Sequence, residues 1–174
     1  LDEVPEVTAV AGLWNFRRGG DPGPSCQRML AAQKIYGPHA SQMWCEGPLS
    51  IGRNLFRTLP EDRYDRQPLT GGGGRYALVA DVRLDNRDEL AEALGIEREH
   101  MRSLADADVL LKAWERWEEE VFDRLLGDYA FALWDGREGR NRVLLGRDRA
   151  GQKPLFYYHA PDGDLIFASE IKVL

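Results

Sequence analysis

Short apolar stretches bounded by turn residues recur along the chain and predict a series of β-strands. Residues 8–16 (TAVAGLWNF) form a buried first strand, which the Gly, Pro and Arg residues of RRGGDPGP end. The segment RYALVADVRL has the alternating period of a half-buried strand, with Tyr76, Leu78, Ala80, Val82 and Leu84 on one face. The later segments DYAFALWD, RVLLGRD, LFYYH and DLIFASE also predict strands, separated by the turn-rich segments DGREGRN and PDGD.

A second pattern, with apolar residues every three or four positions, predicts helices between these strands. Ser25 is placed to cap a short helix through Ala32, and Asn86 to cap the helix DELAEAL, which Gly95 closes. From Asp106 onward the helical spacing predicts one amphipathic helix lying on a sheet. Its apolar positions are Val109, Leu110, Ala113, Trp114, Trp117, Val121 and Leu125.

The middle of the chain carries less regular patterns. Pro38 favours extended chain toward Met43 and Trp44. Residues 48–69 contain a predicted strand and then the loop LPEDRYDRQPL, which carries too many charges to belong to the core. Residues 71–74 are consecutive glycines and mark a flexible turn. Runs of antiparallel strands with a few segregated helices are typical of an α+β layered fold.

Composition limits the classes of partner. The chain has 174 residues, the length of one domain, and 43% hydrophobic residues are enough for a real core. The net charge is -6 and the basic residues are scattered among acidic ones, so neither nucleic acid nor a membrane is expected as a partner. Cys26 and Cys45 lack zinc-site spacing and are too few for a disulfide framework, so a cytoplasmic location is expected, with free thiols as the default and one bridge as the open alternative.

The C-terminal segments RLLGDYAFALWD, GRDRAGQKPLFYY and LIFASEIKVL resemble, in order and spacing, the end of the glutaminase domain of asparagine synthetases. AVAGLWNF and VADVRLDNRDEL are similar to earlier strands of the same domain. The resemblance implies a class II glutamine amidotransferase domain over residues 8–174, folded as an N-terminal nucleophile (Ntn) hydrolase, a four-layer αββα sandwich. Residues 1–7 would be a tag remnant or an N-terminal extension. The family's ATP-binding synthetase domain would lie beyond Leu174.

The resemblance also implies where the nucleophile should lie. In the family, the thiol of an N-terminal cysteine attacks the glutamine amide, and the α-amine of that cysteine is the base. Aligned on AVAGLWNF, this position falls on Thr8, whose nitrogen is in a peptide bond because seven residues precede it. Neither Cys26 nor Cys45 lies near a patterned His, so both are expected to be inert.

The other parts of the family's glutamine site are the oxyanion pair, the carboxylate-binding arginine and an acidic residue, and only the last is clearly matched. The Asn-Gly pair that stabilises the oxyanion aligns with Asp81 and Val82, and an ionised carboxylate repels a developing negative charge. The arginine that binds the substrate's α-carboxylate aligns near Asn54, and a shift of one residue would place Arg53 there. Asp106 matches the acidic residue for the substrate's amine, although its position also suits an N-cap. The implied glutamine site is therefore degenerate.

Structural roles compete with site roles near the C-terminus. Asp148, Gly151 and Lys153 suit a charged hairpin loop between two strands. Ser169 and Glu170 suit the capping of a following helix.

The leading hypothesis is a degenerate glutaminase-like domain that supports an ATP-dependent, amide-forming enzyme. β-Lactam synthetases and lasso-peptide macrocyclases are branches of this family that use an amine already present in the substrate. The segments YGPHASQMW and LFRTLPEDRYDRQPL are more similar to the lasso-peptide branch. The resemblance implies no cofactor in this chain, ATP and Mg in the synthetase domain, and that domain and a precursor peptide as partners. Trp44 would be available for peptide docking unless it is buried.

Two alternatives remain open. If residues 1–7 are removed, Thr8 becomes an N-terminal threonine, which is an accepted nucleophile, and the chain is an active glutamine-hydrolysing asparagine synthetase domain. In the second alternative, the chain is a stand-alone interaction module without a synthetase partner. A synthetase loop encoded downstream of Leu174, or a stop codon there, would separate the module from the leading hypothesis.

Overall fold

The computed structural model describes residues 7–16, 20–161 and 163–174, so the predicted N-terminal extension lies outside the described residues except for Val7. The strands are β1 (Ala9–Trp14), β2 (Ala40–Glu46), β3 (Leu49–Leu55), β4 (Leu69–Gly71), β5 (Tyr76–Leu84), β6 (Gly127–Asp135), β7 (Arg142–Arg147), β8 (Phe156–His159) and β9 (Leu165–Ala168). The α-helices are α1 (Gly23–Ala32), α2 (Arg87–Leu94), α3 (Arg98–Met101) and α4 (Asp106–Trp117). Short 3-10 helices cover Pro60–Tyr64, Glu118–Asp123 and Ile171–Val173.

The described strands form two antiparallel sheets. The first has the order β2-β3-β1-β9-β8 and the second the order β4-β5-β6-β7. In the first sheet Val10 pairs with Arg53 and Ala11 with Ala168; in the second Asp81 pairs with Ala130. The chain enters the first sheet, crosses to the second at β4, and returns at β8. Residues distant in sequence therefore meet at the ends of the strands.

The two sheets and the helices form four layers. Helix α1 packs on the outer face of the first sheet, where its Met29 joins Ala11 and Ala168 of the sheet in one apolar cluster. Val10 and Phe167 lie in the apolar layer between the sheets. Helices α2 and α4 cover the outer face of the second sheet, where Trp114 is fully buried. The predicted α+β, four-layer αββα sandwich is confirmed.

A close approach between strands depends on Gly12 of β1. A Cβ atom built on Gly12 would lie 2.1 Å from Cζ of Phe167, which is closer than real contacts allow. Phe167 is itself fully buried between the sheets. The small residue in AVAGLW is therefore needed for packing against β9.

Two predictions about the second sheet need correction. Strand β5 is buried on both faces, because Ala77 and Val79 contact the layer between the sheets while Leu78 contacts the helix layer. The half-buried strand predicted from alternation is therefore wrong. The single long helix from Asp106 is also wrong, since α4 ends at Trp117 and a 3-10 helix carries the remaining apolar positions.

Several predicted caps are also replaced. Ser25 lies inside α1, and the amide of Gly23 at the start of that helix donates to Oδ1 of Asp21. Asn86 occupies the N-cap position of α2, but its side chain bonds the backbone of Arg124 and Leu126 instead. Gly95 ends α2 in a left-handed conformation (φ 68°), as predicted.

The residues at the C-terminal end and the two cysteines also had predicted roles. The Ser169 hydroxyl accepts a bond from the Val10 amide rather than capping a helix. Glu170 does accept from the amide of Lys172 at the following 3-10 helix. Cys26 and Cys45 are both free, as predicted. In the part of the chain that the structure describes, no helix is both long enough and apolar enough to cross a bilayer.

Candidate functional site

A cleft of about 150 Å³ opens at one end of the sandwich, where the start of β1, the segment after β3 and the end of β5 meet. Thr8, Asp81 and Val82 line it, so the structure brings together three of the predicted site positions. The other charged groups lining it are Asp62, Asp65, Arg83, Asp128 and Lys153. The cleft therefore has an excess of acidic side chains.

Thr8 uses its hydroxyl to join two strand ends. Its Oγ1 accepts a hydrogen bond from the Phe56 amide at 3.0 Å and donates to the Phe56 carbonyl at 3.4 Å. Thr8 is 7% exposed and follows Val7 in the chain. The hydroxyl thus extends the pairing of β1 with β3 into the cleft wall.

Asp81 forms a buried ion pair with Lys153. The distance from Lys153 Nζ to Asp81 Oδ1 is 3.1 Å, while Asp81 Oδ2 is buried and has no hydrogen-bond partner among the described residues. Burial raises the pKa of Asp81 to about 6, and the lysine opposes this only in part. An under-partnered buried carboxylate in a cleft is typical of a functional site.

The loop between β7 and β8 holds Lys153 in position. Asp148 accepts hydrogen bonds from the amides of Gln152 and Lys153, and Arg147 donates to the carbonyls of Gly151 and Lys153. Gly151 adopts a positive φ of 67° within this turn. The predicted charged turn is present, but the predicted hairpin is wrong, because β7 and β8 belong to different sheets and the loop crosses from one sheet to the other. The cleft role of Lys153 is an addition that the turn pattern did not indicate.

Arg53 and Asn54 are adjacent residues of β3, so the pleat of the strand directs their side chains to opposite faces of the first sheet. Arg53 is fully buried and its guanidinium contacts the Asp65 carboxylate at 2.5 Å. The Asn54 side chain donates instead to the Leu30 carbonyl of α1, on the outer face of the first sheet. Of the two predicted alternatives, Arg53 is therefore the one directed toward the wall of the cleft.

Asp106 has a structural environment. It is the first residue of α4, and Ala105 occupies the N-cap position, so the alternative N-cap role is wrong. Its carboxylate accepts from the Leu84 amide at 2.7 Å and from the Arg87 guanidinium. Asp106 does not contribute to the described lining of the cleft.

Sequence reasoning missed Asp65, which lines the cleft, and Gln67, which is bonded to it. Asp65 accepts hydrogen bonds from the backbone and side chain of Gln67, and Gln67 in turn bonds the amide and carbonyl of Ala80. Both residues belong to the loop LPEDRYDRQPL, yet Gln67 is buried. The charged residues of this loop lie outside the core, as expected, and Gln67 is a buried exception whose side chain bonds Asp65 and Ala80.

Other sites are less suited to the predicted chemistry. Among the described residues, no group of three or more His, Cys, Asp or Glu side chains is placed to hold a metal. A larger groove of about 880 Å³ lies between the 3-10 helix Pro60–Tyr64 and helices α2 and α3, and the described lining includes none of the predicted site positions. Trp44 packs against Trp134 with ring centroids 5.1 Å apart, so it is partly buried. The absence of a cofactor from this chain stays a prediction.

Comparison with known proteins identifies relatives of the whole domain. Residues 7–174 match the family model described as a glutamine amidotransferase domain. The chain is 33% identical over 149 residues to "Asparagine synthetase [glutamine-hydrolyzing] 3" of Bacillus subtilis, an alignment covering 84% of this chain and 24% of that protein. It is 30% identical over 178 residues to a "Putative asparagine synthetase [glutamine-hydrolyzing]" of Mycobacterium tuberculosis, covering 97% of this chain and 26% of that protein.

A solved structure supports the fold. The glutamine phosphoribosylpyrophosphate amidotransferase from B. subtilis superposes with a TM-score of 0.71 at 20% sequence identity, covering 95% of this chain and 42% of that chain. At this identity the likeness establishes the Ntn-hydrolase fold alone. The chain spans about a quarter of the length of the curated relatives it matches.

Proposed function

Because this chain belongs to the family of glutamine amidotransferase domains, we propose that it keeps the amidotransferase fold, does not hydrolyse glutamine, and supports an amide-forming synthetase domain. The observation that carries this proposal is the environment of Thr8. Its hydroxyl is bonded to the backbone of Phe56, and its nitrogen is in a peptide bond with Val7. A nucleophile of this class needs a free hydroxyl or thiol and a free amine as base.

The charge of the cleft also supports the proposal. Attack on an amide produces an oxyanion, which hydrogen-bond donors must stabilise. Asp81 lines the cleft that contains Thr8, and an ionised carboxylate can only accept hydrogen bonds. The neighbouring donor, Lys153, is already paired with Asp81.

The lengths of the relatives support a synthetase partner. The two asparagine synthetases cited above extend well beyond the region that matches this chain. We propose that a C-terminal synthetase domain uses ATP and Mg there, and that this enzyme works in the cytoplasm. The amidotransferase-like domain would then stabilise or orient the synthetase domain.

The proposed substrate carries its own amine. A glutaminase site can degenerate when ammonia from glutamine is not needed, as in β-lactam synthetases and lasso-peptide macrocyclases. The likeness of YGPHASQMW and LFRTLPEDRYDRQPL to the latter supports cyclisation of a precursor peptide through an isopeptide bond. The support for this refinement is sequence likeness alone, because Trp44 packs against Trp134 and is partly buried.

A glutaminase assay tests the proposal on full-length protein expressed from its natural start. We expect no glutamate release above that of the matched variant Thr8→Ala, and we expect ATP-dependent amide formation to be the same in both proteins. Intact-mass measurement reports whether Thr8 is the first residue. Glutamate release that Thr8→Ala abolishes would overturn the proposal.

The second candidate is an active glutamine-hydrolysing domain. Thr8 lines the cleft, and the relatives are named as glutamine-hydrolysing. Removal of residues 1–7 would give Thr8 the free amine that the chemistry requires. Intact mass beginning at Thr8, together with glutamate release, distinguishes this candidate from the first.

A further inference from the structure

Strand β2 lies at one edge of the first sheet, and this edge is unprotected. It pairs with β3 on one side, so the backbone N–H and C=O groups on its other side are not used by any described strand. Proteins usually protect such edges with very short strands or with charged side chains. Strand β2 has seven residues and a single charged residue, Glu46, at its end.

The other edge strands of the described sheets are protected in these ways. Strand β8 is the opposite edge of the first sheet, and β4 and β7 are the edges of the second. Strands β4 and β8 have three and four residues, and β7 has an arginine at each end, Arg142 and Arg147. Of these edges, β2 is therefore the one best suited to pair with an additional strand.

Side-chain contacts on both faces hold β2 in place. Trp44 packs against Trp134 of β6 in the layer between the sheets, with ring centroids 5.1 Å apart. On the other face, the Ser50 hydroxyl of β3 donates to the Cys45 sulfur at 3.0 Å. The edge is therefore ordered before a partner arrives, which lowers the entropy that binding must overcome.

A groove of about 350 Å³ lies beside this edge, between β2 and α1. Met43 of β2 and Leu30 and Ala31 of α1 form its apolar part, and Met43 is 38% exposed. Gly52 lies opposite Met43 on β3 and lets the helix approach, since a Cβ atom there would lie 2.6 Å from Cδ1 of Leu30. The groove can therefore accept an apolar side chain from a strand paired with β2.

Lys34 gives the groove a positive charge. It is exposed and is the one charged residue in the described lining, whereas the whole chain has a net charge of -6. After Lys34 the chain comes close to the Asn54 backbone at Gly37. Asn54 is opposite Ser41 of β2, so Lys34 lies toward the Ser41 end of the groove. An acidic side chain is favoured there.

A second copy of this chain fits the edge poorly. Two β2 strands paired antiparallel about a two-fold axis would place both α1 helices on the same face of the joined sheet. Each helix would bring its own Lys34 toward the joint, and the like charges would oppose pairing. A peptide strand that carries an acidic residue has no such conflict.

We propose that this edge and groove bind an extended segment of the peptide substrate proposed above, which adds to the first sheet as a sixth strand. The inference rests on the proposed function, which supplies a peptide as the partner. Antiparallel pairing places an apolar residue opposite Met43 and, two positions later, an acidic residue opposite Ser41 and near Lys34. Main-chain hydrogen bonds supply affinity, and the two side chains supply specificity.

Fluorescence anisotropy with the full-length protein tests the inference. The probe is a labelled nine-residue peptide of alternating threonine and alanine, with leucine at its centre and glutamate two positions later. Two N-methylated forms each block one of the two alternating sets of amides and keep every side chain. Because one set alone faces β2 in a paired strand, one form should bind at least about tenfold more weakly and the other should bind like the probe. This comparison changes the peptide alone, so it does not depend on the folding of a variant.

Exchange of charge tests the groove. Lys34→Glu should weaken binding of the probe about threefold to tenfold, and a probe with lysine in place of glutamate should bind this variant better than the wild type. Met43→Asp places an acid beside the leucine and should also weaken binding. The matched control is Lys172→Glu, the same change of charge on an exposed residue of the C-terminal 3-10 helix, which should leave the affinity unchanged.

The outcomes separate this inference from the proposed function. A probe that does not bind the wild type at about 1 mM, or whose two methylated forms bind equally, overturns the inference and leaves the proposed function intact. A wild-type dimer, measured by light scattering, that Met43→Asp converts to a monomer shows that a second copy occupies the edge and also overturns the inference. Glutamate release in the assay described above overturns the proposed function, and the affinity for the probe is measured without glutamine.

Discussion

The paired strands β5 and β6 bury an aspartate at each end, and the two carboxylates have different surroundings. Asp81 lies at the cleft end, whereas Asp135 pairs with Tyr76 at the other end. Asp135 is fully buried and accepts bonds from Arg137 at 2.8 and 2.7 Å, with Arg140 and Arg142 within 4 Å. Within the described ranges, the carboxylate of Asp81 contacts one lysine, and its Oδ2 has no hydrogen-bond partner.

The two environments shift the pKa in opposite directions. Burial opposes ionisation of Asp135, but hydrogen bonds and charge from the arginines outweigh it, so its pKa is lowered. Burial dominates at Asp81 and raises its pKa to about 6. Breaking a compensated buried ion pair is strongly destabilising, whereas a perturbed, incompletely compensated carboxylate in a cleft is a candidate for a functional site. We therefore assign a structural role to the end of the sandwich that contains Asp135, and the candidate site lies at the end that contains Asp81.

The largest effect is expected for Asp135→Asn. Its loss leaves three arginines around a buried position, and removing one partner of a buried ion pair costs about 3 to 5 kcal/mol. Chemical unfolding of the wild type and variant at pH 7 measures the difference in free energy of unfolding. Glu119→Gln, which removes an exposed pair with Arg142, should change it by less than about 1 kcal/mol. Equal losses in the two variants would contradict the distinction between the ends.

Asp81→Asn should remove a pH dependence of stability. The folded-state pKa of about 6 is above the ordinary value of 3.8, so the folded protein binds this proton more tightly. The associated stability is complete below the ordinary value and is lost as pH rises through about 6, a change on the order of 3 kcal/mol. We expect Asp81→Asn to be more stable relative to the wild type at pH 8 than at pH 4.

Asp135 has the opposite linkage and provides the internal comparison. Its lowered pKa means that its stability is present above the ordinary value and is lost as pH falls below it. Unfolding of both variants between pH 3 and pH 8 should therefore give difference curves with opposite slopes. Parallel slopes would show that the two buried aspartates do not differ as the structure indicates.

The smallest effect is expected for Thr8→Val. The substitution removes the hydrogen bonds to Phe56 and keeps the side-chain shape, at a cost of about 1 kcal/mol. Thr8→Ser retains the hydroxyl and should recover most of the loss in a thermal unfolding assay. A serine variant as unstable as the valine variant would contradict the strand-joining role of this hydroxyl.

Much of the fold could be predicted from periodicity, and the failures have identifiable causes. Strands β1, β6 and β9 follow apolar runs, and Gly95 closes α2 as expected. The alternating pattern predicted that one face of β5 is exposed to solvent, because that face carries the polar residue Asp81. Asp81 is buried nonetheless, since Lys153 pairs with it, and the pattern could not show this. Helical spacing likewise continued past Trp117, although the chain changes to a 3-10 helix there.

The site was only partly predictable. Alignment with the family motifs singled out Thr8 and Asp81, and both residues line one cleft. It did not separate Arg53 from Asn54, since adjacent residues of a strand point to opposite faces and an alignment shifted by one residue exchanges them. Asp65 gave no signal, because one carboxylate among several in a charged loop looks the same whether it is paired or solvated.

The sequence by itself determined the order of strands and helices and the family, because local periodicity and ordered motifs carry that information. The tertiary structure alone decided which charges meet: Arg53 with Asp65, and Asp81 with Lys153. The second pair joins residues far apart in the chain, and its formation depends on strand register and on the loop before β8. Electrostatic pairing falls steeply with distance in water, so only the folded positions determine which carboxylate is compensated and which remains available.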